Sequence, residues 1–173
     1  MYLISAYFDD NANRILQGYI EKIASVSGNT FMIDNNVPPH LTISAIEARN
    51  IDVLVPGFDS LKGELTQGEI QFVSIGQLLP YVIYTTPVLN EYLQNMILTV
   101  NDAYKDVPET SISKFYRPNS WLAHTTLGKT LSKEQMLDAF SIMQTSFVPF
   151  KATVTEIGFA KVNPHMDVER FRL

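Results

Sequence analysis

The sequence predicts one domain of mixed strands and helices in which a strand–helix–strand unit occurs twice. Three observations predict it. Short apolar or alternating runs, the pattern of strands, are interleaved with apolar stripes at helical spacing. Tyr2 to His40 spans 38 positions and Val82 to His124 spans 42, each interval opening on a strand, crossing a helix and reaching a second strand. The 173 residues are 46% hydrophobic and 18% charged, which excludes a disordered chain. At this length roughly two-thirds of the unfolded surface can be buried, enough for a core without staples.

The elements follow in order. Tyr2–Phe8 reads as a buried strand. Asp9, Asp10 and Asn11 end it and offer helix caps. Ile15, Leu16, Tyr19, Ile20 and Ile23 recur at helical spacing, and Gly28 suits the helix C-terminus. Val37-Pro38-Pro39 is stiff and extended, and leads into an alternating strand, His40–Ile46. Residues 47–68, with Pro56, Gly57, Gly63 and Gly68, carry a weak pattern, with a short helix expected near Ile51–Leu61. Glu69–Gln77 and Tyr81–Thr85 read as strands joined near Leu78-Leu79-Pro80. A helix is expected to start at Thr86-Pro87, with Leu89, Tyr92, Leu93, Met96, Ile97, Val100 and Tyr104 as its stripe. Lys105–Ser120 reads as a polar connection and Trp121–Gly128 as a strand. Ser132 with Gln135 forms a capping box for a helix running to about Thr145. Phe150–Lys161 and Val168–Leu173 read as strands joined through Asn163-Pro164.

Charge and cysteine usage narrow the function. Lys and Arg number 13 against 18 Asp and Glu, a net charge of −5. Proteins that grip long nucleic acid carry a basic excess, so a long duplex is not expected as the ligand, while a small phosphate ester is compatible. The absence of cysteine excludes disulfide scaffolds, thiolate zinc sites and cysteine nucleophiles. The opening residues form neither a basic leader nor a long apolar run, and no stretch approaches a bilayer span. No membrane association is expected, and the expected compartment is the cytoplasm.

Three histidines are present: His40, His124 and His165. Two stand in matching contexts, His40-Leu41-Thr42 and His124-Thr125-Thr126. Thirteen threonines in 173 residues make threonine two places after a given histidine roughly an 8% event. Two of three by accident is then about a 2% event, before position within the repeated unit is counted. In a strand, residues i and i+2 share a face, so each histidine projects beside its threonine. If the units are related by an approximate twofold axis, both pairs converge on one cleft. Two imidazoles and two hydroxyls suit displacement at phosphorus. One ring deprotonates the attacking oxygen, the other protonates the leaving oxygen, and the hydroxyls donate to non-bridging oxygens. No metal or other cofactor is required. A three-histidine zinc site is the other reading, but neither His40 nor His124 has a second histidine at ligand spacing. His165 follows a proline, lacks threonine at +2 and reads as a surface residue.

At these residues the chain resembles the two-histidine (2H) phosphoesterase superfamily, and within it the 2′-5′ RNA ligase/cyclic phosphodiesterase-like branch. The resemblance spans nearly the whole chain. It includes Tyr2–Phe8, Pro39-His40-Leu41-Thr42-Ile43, the central strand pair, Trp121–Gly128 and the closing strands. It implies an α+β fold, bilobed, with two pseudo-symmetric antiparallel sheets, helices packed outside and a central active-site cleft. Residues 1–173 would form a single domain of two pseudo-repeated lobes. It implies His40 and His124 as catalytic residues and Thr42 and Thr126 as phosphate-binding residues. The expected reaction is hydrolysis of a cyclic phosphate or a 2′-5′ phosphodiester in a nucleotide or short RNA end. In that direction His40 would activate water and His124 protonate the leaving oxygen, with roles exchanged in ligation; the symmetry of the site leaves this allocation open. One departure is Ala123, where many relatives have proline before the second histidine.

Supporting residues come from the flanks. Arg117 can bind phosphate bidentately, Tyr116 can stack on a base, and Lys129 follows the second motif. Arg117 and Lys129 read equally as solvated loop charges, and Phe115, Tyr116 and Trp121 as core cover. 2′-5′ ligation, a binding protein for nucleotides or RNA ends without turnover, and a structural module with incidental histidines are the alternatives. A monomer is expected.

Overall fold

The computed structural model describes residues 1–162 and 166–173. The expected joint at Asn163-Pro164 and His165 lie outside the described residues. The chain runs β1 (Tyr2–Phe8), α1 (Asp10–Ser27), α2 (Phe31–Asp34), β2 (Leu41–Ala48), α3 (Val55–Ser60), β3 (Gly68–Leu78), β4 (Val82–Pro87), α4 (Glu91–Tyr104), β5 (Thr110–Ile112), β6 (Thr125–Gly128), α5 (Lys133–Ser146), β7 (Phe150–Lys161) and β8 (Met166–Arg172). Short 3₁₀ turns lie at Ile51–Val53 and Lys114–Tyr116. This is an α+β fold in which every strand pairing is antiparallel.

The strands form one hydrogen-bonded path, β5-β2-β1-β7-β3-β4-β6, with β8 also on β7. β7 makes the path continuous while giving it two lobes. β1 takes one edge of β7, from Val154 to Lys161. The other edge is divided: β3 pairs Phe150–Val154 and β8 pairs Glu156–Lys161. One lobe is therefore β5-β2-β1-β7-β8 and the other β7-β3-β4-β6. Phe72 on β3 stacks on Phe150 of β7 (5.0 Å, 25°) and meets Phe8 of β1 edge-on (5.5 Å, 82°), an apolar joint between the lobes.

The helices are exchanged between the lobes. α1 follows β1 but packs on β6, β7 and α5; α4 follows β4 but packs on β2, β3 and α3. α1 can do this because Leu16, Tyr19, Ile20 and Ile23 form a buried stripe at i, i+3, i+4 and i+7. Burying each such side chain fully contributes about 1.5–3 kcal/mol. Asp9 caps the helix by accepting from Ala12 N (3.0 Å), and its second oxygen accepts from Thr153 N on β7 (2.6 Å). The helix stops at Gly28, whose N–H still donates to the Ala24 carbonyl while its φ of 71° turns the chain out of the helix. The Ser132–Gln135 capping box is present on α5.

Three expected boundaries move. α4 starts at Glu91, with Asn90 as its cap accepting from Leu93 N. Thr86 and Pro87 instead continue the β4 ladder opposite Ser74 and Phe72, because the proline lacks an N–H and suits a strand terminus as well as a helix start. The Lys105–Ser120 connection contains β5 and a 3₁₀ turn; β5 is three residues long and exists through its pairing with Ile46–Ala48 of β2. The strand expected over Trp121–Gly128 begins only at Thr125, where pairing with β4 begins.

Candidate active site

Each histidine stands one residue before a strand, His40 before β2 and His124 before β6. The two strands belong to different lobes, and the curl of the sheet brings them close together. His40, Thr42, His124 and Thr126 all line one cleft of about 400 Å³. Thr42 is 8% exposed; the other three are half-buried. Among the described residues no group is hydrogen-bonded to the Thr42 or Thr126 hydroxyl, so both can donate into the cleft.

The two imidazoles are held alike. His40 Nδ1 lies 2.8 Å from the Pro38 carbonyl oxygen, and His124 Nδ1 lies 2.7 Å from that of Leu122. A carbonyl only accepts, so each Nδ1 carries the proton and donates it. A neutral ring then has its lone pair on Nε2. Each ring also sits beside a tyrosine from the first strand of its own unit. Tyr7 of β1 lies 6.2 Å from His40, and Tyr84 of β4 lies 5.2 Å from His124 in an edge-on contact. Burial pushes the Tyr7 hydroxyl up to about 12, so that ring is neutral beside His40. Desolvation lowers the His124 pKa below 6.5, partly opposed by the bond to Leu122, which favours the charged ring.

The remaining lining residues give the cleft its electrostatic character. Among the described ones, Lys129 is the only charged side chain and no carboxylate is present. That contrasts with the net charge of −5 on the whole chain. The Lys129 ammonium also lies 5.8 Å from the Phe31 ring centroid. Leu3, Phe31, Met32 and Val37 make an apolar wall, and Asn35 and Ser113 add amide and hydroxyl groups. Among the described residues no three His, Cys, Asp or Glu side chains are grouped as metal ligands.

The flanking candidates separate. Tyr116 lines the cleft, carried there by the turn after β5, and burial raises its pKa. Lys129 lines it as well. Arg117 does not; its guanidinium donates to the Ile112 carbonyl at 3.3 Å and so braces the same turn. Sequence reasoning missed Phe31, Asn35 and Val37. They occupy the connection between α1 and β2, as Tyr116 occupies the one between α4 and β6. The repeated unit is the signal that pairs those two connections. It also missed two ties behind the second motif. Trp121 Nε1 donates to the Thr42 carbonyl (3.0 Å), and Thr86 Oγ1 donates to the Ala123 carbonyl (2.8 Å).

No protein-family model and no curated protein sequence matches the chain. Solved structures do. The chain is similar to a protein described as a phosphoesterase, with a TM-score of 0.66 and 14% identity, over 99% of this chain and 97% of that one. It is similar to Escherichia coli LigT complexed with 3′-AMP (TM-score 0.61, 13% identity, 99% and 97% covered). It is similar also to the same protein complexed with NADP+ (TM-score 0.62, 14% identity, 99% and 96% covered). The α+β class implied by the two-histidine resemblance is thus the one observed, with the strands in one continuous eight-stranded sheet, and over nearly its whole length the chain has the fold of a LigT-like phosphoesterase.

Proposed function

We propose that the chain is a metal-independent two-histidine phosphoesterase that hydrolyses a cyclic phosphate or 2′-5′ phosphodiester of a nucleotide or short RNA end. One observation carries this reading: both H-x-T motifs open onto one cleft with no carboxylate among its described lining residues, and each ring is held through Nδ1, which places the lone pair of a neutral ring on Nε2. Nucleotide ligands in LigT of the same fold support the substrate class.

For a 2′,3′-cyclic phosphate, one Nε2 takes a proton from water as its oxygen bonds to phosphorus. The opposite P–O bond to the ribose breaks, and the second ring, protonated, delivers its proton to the leaving oxygen. Thr42 and Thr126 donate to the non-bridging oxygens as negative charge builds there, and the Lys129 ammonium stabilises the same charge. Desolvation lowers the His124 pKa, which favours the neutral ring and suits the base; His40 would then serve as the acid, the reverse of the allocation by resemblance. Tyr116 and Phe31 offer aromatic surface to the base of the nucleotide.

The test is a panel of 2′,3′-cyclic nucleotides and 2′-5′ dinucleoside monophosphates assayed with chelator present. Turnover that survives chelation is expected. Turnover abolished by chelator refutes metal independence. Tight nucleotide binding with no turnover of any member makes the protein a binding module on this fold.

A further inference from the structure

The strands bearing the two motifs are not paired to each other. Between β2 and β6 the hydrogen-bonded path runs through β1, β7, β3 and β4. Inter-strand twist varies by many degrees from pair to pair, and deviations accumulate over five pairings. The ladder alone therefore leaves the separation of the imidazoles loosely set. Acid and base acting across one phosphorus need placement to about 0.5 Å.

One buried side chain bridges the gap directly. At Thr42, β2 has β1 on one side, while β5 pairs only with Ile46–Ala48 farther along. The Trp121 indole supplies a donor to the Thr42 carbonyl at 3.0 Å. It is 8% exposed, so water competes weakly for that bond. Trp121 stands three residues before His124, and Thr86 holds the intervening Ala123 carbonyl from β4. Thr42 belongs to one motif and Trp121 is continuous with the other, so the bond spans the two halves of the cleft. The cleft side of this arrangement is Thr42 itself, whose hydroxyl faces the ligand space.

We propose that Trp121 is a positioning residue, whose indole N–H sets the gap between the His40/Thr42 and His124/Thr126 pairs by holding the Thr42 carbonyl. The kinetic part of this inference rests on the phosphoesterase reading; the spectroscopic part does not. Trp121 is the sole tryptophan of the chain, so native emission reports directly on the environment of this bond.

Two measurements on the full chain test it. Trp121→Phe keeps a ring in the core and removes the donor. A misplacement approaching 1 Å costs on the order of 10²-fold, so kcat should fall about 10–100-fold with KM held within about threefold. A folded variant with parental kcat overturns the proposal, as does one whose loss lies wholly in KM. In parallel, inorganic phosphate is titrated into the parent protein while tryptophan emission and the imidazole NMR signals of His40 and His124 are followed. Emission should change with the same midpoint as the imidazoles. Constant emission overturns the proposal, whether or not the imidazoles respond. If the parent turns over nothing, the phosphoesterase reading falls and the emission result decides the positioning role. It decides equally if Trp121→Phe does not fold.

Discussion

The two histidine-bearing segments arrive at one geometry by different chemistry. Before His40 the chain is stiffened covalently: Pro38 and Pro39 fix their own φ angles, and Pro39 restricts Pro38 as well. Before His124 the corresponding residues are Leu122 and Ala123, neither of which restrains the backbone. There the work passes to side chains, with Thr86 holding the Ala123 carbonyl and Trp121 reaching across to Thr42. Both segments nonetheless end with Nδ1 bonded to the carbonyl two residues back. The difference teaches that the ring orientation is the fixed requirement and the means of fixing the backbone is interchangeable.

The largest effects come from removing the shared parts. His40→Ala and His124→Ala should each lower kcat by about 10² to 10⁴-fold while the fold survives. Thr126→Val should cost on the order of 10²-fold by removing a donor to the developing charge. Steady-state kinetics beside circular dichroism check both. Parental rates in both histidine variants would end the acid–base account.

The halves also differ in electrostatics, and pH reads that difference. Desolvation lowers the His124 pKa. As the base it would give the acidic limb of kcat/KM a midpoint below 6.5, since that profile reports the free protein. An acidic limb above 6.5 returns the base role to His40. The same shift affects stability with a definite sign. Below about pH 6.5 the unfolded chain takes up the His124 proton before the folded chain does, so this residue's contribution to stability falls as pH drops, until the folded ring also protonates.

Much of this comparison was legible in the sequence, because strand alternation is a local property. H-x-T twice, each at the end of a strand–helix interval, was enough to bring four side chains to one cleft. The bracing was not legible. The Trp121–Thr42 bond joins residues 79 apart, and nothing near Trp121 distinguishes an indole that bridges two lobes from one that covers the core. Arg117 and Lys129 looked alike as loop cations, and only tertiary structure turns one to the Ile112 carbonyl and the other to the cleft. Thr86-Pro87 carried a valid helix-start pattern that the β3–β4 ladder overrode. The three residues of β5 have too little pattern of their own to announce a strand.

The two ways of bracing the backbone can be broken separately. Pro39→Ala releases conformational entropy to the unfolded chain and should lower stability by about 0.4–1 kcal/mol. Thr86→Val removes a donor from the Ala123 carbonyl and should cost about 0.5–1.5 kcal/mol. Denaturant unfolding measures both losses. Because the two changes act in different lobes and share no hydrogen-bond partner, the double variant should show their sum within about 0.5 kcal/mol. A clear excess over that sum would mean that the tie through Trp121 also couples the backbone braces of the two motifs.

The smallest effect separates adjacent threonines. Thr125 and Thr126 occupy alternate faces of β6: Thr126 lines the cleft, whereas Thr125 is 0% exposed. Among the described residues the Thr125 hydroxyl has no hydrogen-bond partner. An unpaired buried hydroxyl carries a desolvation cost that a methyl group of similar shape avoids. Thr125→Val should therefore leave kcat unchanged and raise stability by up to about 1 kcal/mol, read as a higher denaturant midpoint at constant m-value. Loss of stability in Thr125→Val would show that its hydroxyl has a partner after all, such as a buried water. Parental activity there, beside the loss in Thr126→Val, would show that the facing of the side chain, and not the presence of threonine, is what the cleft uses.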